Sequence, residues 1–114
     1  YVRQHEPFGQ KLFDFQNTRF TLVECATEAR IARTFVDDCI QRLIDGTLDS
    51  ATASMAKYWC SERAQENIHR LLQMHGGYGY IMDYPIAHLF ADHRVAMIYG
   101  GSNEIMKELI SRSL

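Results

Sequence analysis

Two glycine-rich stretches decide how this 114-residue chain folds: QMHGGYGY at residues 73–80 and YGGSNE at residues 99–104. Each falls where a helical pattern stops. Glycine has no Cβ, so it adopts positive φ readily and allows a ligand to approach the peptide groups closely. The second stretch also leads into a new helix, whose unpaired N–H groups and dipole attract negative charge. Both stretches are therefore predicted to form exposed corners of a helical protein that a ligand can reach.

The longest helical pattern precedes the first glycine stretch and runs from about Gln16 to Asp45. Gly46 follows it and is predicted to close the helix with a left-handed residue. Apolar residues that recur every three or four positions predict one buried face, formed by Leu22, Ala26, Ala29, Ala32, Val36, Cys39, Ile40 and Leu43.

A second long helix is predicted up to about His75, with Asp49 or Ser50 as its N-cap. Its apolar side carries Met55, Trp59, Ile68, Leu71 and Leu72. Two helices of roughly 25–30 residues joined by a tight turn imply an antiparallel pair in a bundle.

Two shorter helices are predicted after the first glycine stretch. Tyr84-Pro85 opens one of them, since proline fits the first turn, and its inward side chains are expected to be Ile86, Leu89, Phe90 and Val95. Ser102 or Asn103 caps the other. The only alternation typical of a strand is weak and covers residues 78–82. The fold class is therefore all-α, an up-and-down four-helix bundle.

Composition narrows the function classes. A formal charge of −2 and a pI near 6.2 do not favour nucleic-acid binding, and no apolar run is long enough to span a bilayer. Cys25, Cys39 and Cys60 lie in helical patterns and are expected to be reduced core thiols. His88 and His93 lie five residues apart and so point to different faces of a helix, and no H-E-x-x-H motif is present, so no metal site is expected. Tyr1-Val2-Arg3 lacks a preceding N-cap, which leads us to expect a piece of a longer polypeptide.

The two corners, taken with what lies between them, resemble a known family. The pattern is Gln-x-x-Gly-Gly-x-Gly-Tyr at 73–80, Tyr84-Pro85, Asp-x-Arg at 92–94, and IYGGSNEI at 98–105. It resembles the C-terminal helical domain of the acyl-CoA dehydrogenases, most closely the long-chain type. Phe8-Gly9 and Phe15-Gln16 also fit, so the likeness covers residues 1–114. It implies that the first helix of the bundle is largely truncated and that residues 1–3 are its final turn.

The resemblance implies a flavoenzyme that removes the α proton of an acyl-CoA thioester and passes a hydride from the β carbon to FAD. It also implies electron-transfer flavoprotein as a partner, a homo-oligomer, usually a tetramer, and a bacterial cytoplasmic or mitochondrial matrix location. By position it implies FAD contacts for His5, Gln16, Gln73, Gly76, Gly77, Ser102, Asn103 and Glu104. It implies substrate contacts for Tyr99, Gly100 and Gly101, with the Gly100 N–H as a donor to the thioester carbonyl.

Two positions depart from the family pattern. His5 stands where many members carry an arginine beside the FAD pyrophosphate. A neutral imidazole offers one hydrogen-bond donor, whereas the planar guanidinium of arginine offers several. Phosphate binding is therefore expected to be weaker or to be shared with Arg3. Gly100 stands where many members carry the catalytic glutamate. The catalytic base is therefore expected upstream of Tyr1, and no catalytic side chain is expected in this chain. Glu104 is not expected to take the place of the missing base.

Other functions remain open from the sequence. An acyl-CoA oxidase or a dehydrogenase for carrier-protein-bound acyl chains would share the scaffold. A helical interaction module without catalysis would share it too, and His5 is the one feature that favours this alternative. The isolated chain is expected to be inactive and not to retain FAD. It is also expected to self-associate through an exposed apolar groove.

Overall fold

The computed structural model describes residues 1–114, and all of its regular structure is helical. The four helices are α1 (Gln16–Ile44), α2 (Ser50–Met74), α3 (Pro85–His93) and α4 (Asn103–Ser111). Single 3₁₀ turns occupy Pro7–Gly9, Leu12–Asp14, Gly76–Tyr80 and Arg94–Met97. The predicted all-α class is confirmed. The weak strand pattern at 78–82 was misleading, because residues 76–80 form a helical turn.

Local signals set the helix ends as expected. Gly46 has φ +73° and ends α1, and Asp49 caps α2 by accepting a 2.8 Å hydrogen bond from the Thr52 backbone N–H. Pro85 is the first residue of α3, and Ser102 caps α4 through its hydroxyl. Both N-cap alternatives are thereby resolved, in favour of Asp49 and Ser102.

α1 and α2 pack as an antiparallel pair along a narrow seam. On α1 the buried residues are Thr18, Cys25 and Cys39, which are separated by multiples of seven positions, a spacing typical of two helices in coiled-coil contact. The wide buried face predicted for α1 is wrong for half of its members. Cys39 is buried, but Ala26, Ala29, Ile40 and Leu43 are exposed, because α1 packs mainly on α2 and on the 3₁₀ turn at Leu12–Asp14.

α2 is the central helix and contacts α1, α3 and α4. Its fully buried residues are Ser54 and Ser61, again seven positions apart, while most residues from 51 to 65 are half-buried. Arg70 ties α2 to α1 through 3.0 Å ion pairs with Glu24 and Glu28. The glycine-rich stretches at 73–80 and 99–104 therefore both lie next to the helix that contacts the other three.

The short helices are less covered than the sequence predicted. Ile86 is buried, but Leu89, Phe90 and Val95 are 52%, 38% and 49% exposed. Their inward placement was wrong, because the chain covers this side only in part: the Phe90 ring reaches His69 of α2, with centroids 6.3 Å apart, yet all three side chains stay exposed. The molecule is elongated, 54 × 24 × 23 Å, with its length set by the two long helices.

Candidate functional site

The first of the two predicted corners, residues 73–80, is called the Gly76 corner here. Gly76 adopts φ +56° at the end of α2, and a side chain added at Gly76 or Gly77 would meet nothing within 4 Å. Gly79 differs, since it is buried against the Leu72 carbonyl oxygen. The corner thus presents two open glycines to the surface and uses the third to pack its own turn.

An aromatic cluster connects the start of the chain to the Gly76 corner. The Tyr1 ring stacks on His75 with centroids 4.2 Å apart and on His5 at 5.0 Å, and the Tyr1 hydroxyl donates to the His75 carbonyl at 3.1 Å. Tyr1, His5 and His75 line a cavity of about 620 Å³ together with Tyr84. The cluster places His5 beside the glycine corner.

Arg3, the other cation considered for phosphate contact, does not share this cavity. Its guanidinium lies over the Phe13 ring, 4.9 Å from the centroid. His5 and His75 are therefore the two imidazoles that line the cavity at this corner, while Arg3 has an aromatic partner of its own.

The two predicted glutamines lie near this same end of the helix pair. Gln73, on the last turn of α2, and Asn17, on the first turn of α1, line one cavity of about 380 Å³. Gln16 is the residue before Asn17 and is exposed. Five of the predicted contact residues, which are His5, Gln16, Gln73, Gly76 and Gly77, thus belong to one end of the molecule.

The second corner, residues 99–104, is called the Gly100 corner. Gly100 and Gly101 have φ +64° and +90°, so two successive residues adopt a conformation that residues with a Cβ rarely adopt. The backbone N–H groups of Gly100 and Gly101 have no acceptor within the chain. Tyr99, which is 63% exposed, and Gly100 line a cavity of about 470 Å³ with Ala56, Ala64 and Ala96. The corner presents free amide donors beside an apolar cavity.

The Asn103 side chain is held within the chain. The residue is 2% exposed, its amide nitrogen donates to the Ser61 hydroxyl at 3.0 Å, and its Oδ1 accepts from Lys57 Nζ at 2.7 Å. Asn103 therefore fixes the start of α4 against α2, and the cofactor contact predicted for it stays a prediction.

Ser102 and Glu104 shape the rest of the corner. The Ser102 hydroxyl accepts from the Ile105 N–H at 3.4 Å. Hydrogen bonds from the backbone N–H of Glu104 itself and from the Ser102 side chain lower the pKa of the exposed Glu104 carboxyl. A lowered pKa makes this carboxylate a weaker base, which agrees with the expectation that Glu104 is not the proton acceptor.

Lys57 is the residue that sequence reasoning missed. Its Nζ donates to the Gly101 carbonyl oxygen at 2.6 Å, from a position 44 residues earlier in the chain. The signal that could have revealed it is a polar line on α2, since Ser54, Lys57 and Ser61 follow one another at spacings of three and four and so share one face.

The two corners are separate surfaces. The Gly100 corner is attached to α2 near Lys57 and Ser61, whereas the Gly76 corner begins where α2 ends, at Met74. With a rise of 1.5 Å per residue, Ser61 and Met74 lie about 20 Å apart along the helix. One small ring system cannot contact both corners. No group of three or more His, Cys, Asp or Glu residues is arranged to hold a metal ion, and no helix is long and apolar enough to cross a membrane.

The fold and these corners define a class, that of helical-bundle domains with exposed glycine turns at the ends of their helices. The chain belongs to the acyl-CoA dehydrogenase family: the model of the "Acyl-CoA dehydrogenase, C-terminal domain" matches residues 1–114. Over all 114 residues the chain is 48% identical to the mitochondrial long-chain specific acyl-CoA dehydrogenase of Rattus norvegicus, of which it covers 26%. The resemblance seen in the sequence is confirmed.

Solved structures agree with this assignment. The acyl-CoA dehydrogenase of Geobacillus kaustophilus superposes with a TM-score of 0.96 at 42% identity, over 99% of this chain and 30% of that one. A chain in a structure described as the electron transferring flavoprotein of Acidaminococcus fermentans gives 0.95 at 33% identity, over 99% and 30%. The present chain thus spans less than a third of the length of the proteins it matches.

Proposed function

We propose that this chain is the C-terminal domain of an FAD-dependent acyl-CoA dehydrogenase that oxidises the α,β carbon–carbon bond of an acyl-CoA thioester. The observation that carries the proposal is the Gly100 amide. It is exposed, it has no acceptor within the chain, and it borders an apolar cavity of about 470 Å³ in a chain of this family.

In the proposed reaction the Gly100 N–H donates to the thioester carbonyl oxygen. The α proton becomes more acidic as negative charge develops on that oxygen, so a donor already aimed at it stabilises the transition state more than the ground state. Removing one such donor from other enzymes costs about 10²–10³ in rate. Tyr99 contributes to the wall of the same cavity and excludes water from the acyl side.

The residues of the Gly100 corner also fit a bound FAD. Ser102 caps α4, and the N–H groups of Ser102 and Asn103 have no acceptor within the chain, so the start of this helix can donate to oxygen atoms of a bound group. When bound, the flavin supplies the hydride acceptor. The Gly76 corner, with Gln16, Gln73 and His5, is proposed to contact the FAD of a neighbouring subunit. The separation of about 20 Å along α2 supports this division of roles, because one corner can serve each cofactor.

The proton acceptor is proposed to lie outside these 114 residues. Gly100 has no side chain, and the hydrogen bonds that lower the pKa of the Glu104 carboxyl make it a weaker base. The chain therefore polarises the carbonyl and holds the cofactor, and another part of the protein takes the α proton.

The assembly is proposed to be a homo-oligomer, with a tetramer as the expected state, and its electron acceptor an electron-transfer flavoprotein. Large apolar side chains on α1 support self-association, since Phe20, Val23 and Ile31 are all more than half exposed. The proposed location is the bacterial cytoplasm or the mitochondrial matrix.

The test is made on the full-length protein and on the isolated chain in parallel. The full-length protein should purify with FAD and reduce a dye acceptor when acyl-CoA is added, with formation of the enoyl thioester, whereas the isolated chain should do neither. Rapid oxygen consumption by the reduced enzyme would instead indicate an oxidase. A full-length protein without flavin and without turnover would contradict the proposal and favour an interaction module.

A further inference from the structure

Lys57 holds the Gly100 corner from the side of α2. Its ammonium donates to the Gly101 carbonyl oxygen at 2.6 Å and to Asn103 Oδ1 at 2.7 Å, so it bridges the turn and the first residue of α4. Gly100 and Lys57 also line the same cavity. The lysine therefore contacts the turn, the helix start and the space that the ligand is proposed to enter.

The turn has little else to restrain it. Two consecutive glycines with positive φ have more conformational freedom than any other dipeptide, and neither N–H is hydrogen-bonded within the chain. The hydrogen bond that the Gly101 carbonyl accepts comes from Lys57. Without that bond, the two peptide planes that flank Gly101 would sample several orientations, and the adjoining Tyr99–Gly100 plane, which carries the Gly100 N–H, would lose the restraint on its C-terminal side. A donor that samples several orientations loses most of its advantage over water, because catalysis by such donors depends on their being aimed in advance.

We propose that Lys57 is a positioning residue for the Gly100 amide. It fixes the peptide planes of the glycine turn, and by hydrogen bonding the Gly101 carbonyl it polarises the next peptide group, so that the Ser102 N–H becomes a stronger donor. This inference rests on the function proposed above for Gly100. Lys57, on α2, would thus act on the substrate carbonyl indirectly, by orienting the backbone of the glycine turn.

The alternative is that Lys57 simply fastens α4 to α2. Lys107 provides a matched control, because it joins the same two helices without contacting the turn. Its Nζ pairs with Glu62 at 2.9 Å and lies 5.1 Å from the Tyr58 ring centroid. A fastening role predicts similar consequences for the loss of either lysine, whereas a positioning role predicts that only Lys57 matters to the turn.

The experiment compares Lys57→Met, Lys57→Gln, Lys57→Arg and Lys107→Met in the full-length protein. Hydrogen–deuterium exchange of peptides covering residues 98–105 is measured by mass spectrometry, together with FAD content, kcat and KM for acyl-CoA. For Lys57→Met we expect exchange at residues 98–105 to be about tenfold faster and kcat to be about tenfold lower, because a hydrogen bond to a charged group is lost. KM for acyl-CoA should stay within about threefold of the wild-type value. Lys57→Arg should recover much of the protection, since it keeps charge and donors.

The controls separate the possible failures. Lys107→Met should leave exchange at 98–105 and kcat near wild type. Equal effects of the two Met variants, or unchanged exchange in Lys57→Met, would overturn the proposal. Should Lys57→Met not fold, Lys57→Gln gives the same comparison with one donor retained. If even the wild-type protein shows no acyl-CoA turnover, the proposed function fails, and the exchange data still decide whether Lys57 holds the turn.

Discussion

The three glycines of the Gly76 corner are predicted to respond very differently to alanine. A methyl group on Gly79 would lie 2.6 Å from the Leu72 carbonyl oxygen and 3.1 Å from the His75 Cβ. The methyl carbon and the oxygen would have to separate by about 0.8 Å to reach ordinary contact. The oxygen cannot turn aside as a side chain would, because it belongs to the backbone of α2.

The cost of Gly79→Ala follows from this geometry. Over-packing at a buried position costs about 1–3 kcal/mol, and here the rigid obstacle places the expectation in the upper half of that range. In Gly76→Ala the added methyl group meets no atom, but the residue must keep φ +56°. The left-handed backbone alone should therefore lower the free energy of unfolding by about 1–2 kcal/mol. Gly77 has neither obstacle nor positive φ, and Gly77→Ala should be neutral or stabilise by about 0.4–1 kcal/mol.

The assay is urea unfolding followed by helical circular dichroism, with the free energy of unfolding compared across the three variants and wild type. The predicted order of stability is Gly77→Ala, then Gly76→Ala, then Gly79→Ala. If Gly79→Ala were as stable as Gly77→Ala, the packing of the 76–80 turn against α2 would be wrong.

Three further predictions concern buried and capping groups. Asn103→Ala should lower the free energy of unfolding by about 1–3 kcal/mol in urea, because it leaves polar partners on α2 unpaired; no measurable loss would contradict its buried role. Hydrogen bonds from the Thr52 hydroxyl and N–H lower the pKa of Asp49, so its contribution to stability is full above the ordinary Asp pKa of about 4 and is lost as pH falls through the folded value. Asp49→Asn should therefore flatten the acid side of a thermal-stability profile, and an unchanged slope would count against the cap. Burial raises the pKa of the Cys25 and Cys60 thiols, so both should react with a thiol reagent slowly when native and quickly in urea; equal rates would refute their protection.

Helix positions could be predicted because they depend on local chemistry. Gly46, Asp49, Pro85 and Ser102 each act within a few residues of their own position, and all four mark helix ends in the structure as their chemistry requires. The glycine corners were found for the same reason. A residue type that tolerates positive φ reveals where the backbone turns.

Burial could not be predicted in the same way. The pattern on α1 and α3 shows which side chains are apolar, but whether Leu43 or Phe90 is covered depends on which elements pack there. Leu43 is left 67% exposed and Phe90 38% exposed. The hydrogen bonds of the Asn103 side chain could not be predicted for a related reason. Its partners Lys57 and Ser61 lie more than 40 residues earlier, and no local rule brings them together.

The central claim is that the Gly100 corner polarises a thioester carbonyl. The most direct measurement is isotope-edited infrared spectroscopy of the full-length protein with an unreactive acyl-CoA analogue carrying ¹³C at the carbonyl. If the Gly100 N–H donates to the carbonyl, the carbonyl stretch should move to lower frequency on binding, relative to the analogue in water. The shift should be smaller in Lys57→Met. A bound analogue whose carbonyl stretch stays at its solution frequency would contradict the claim.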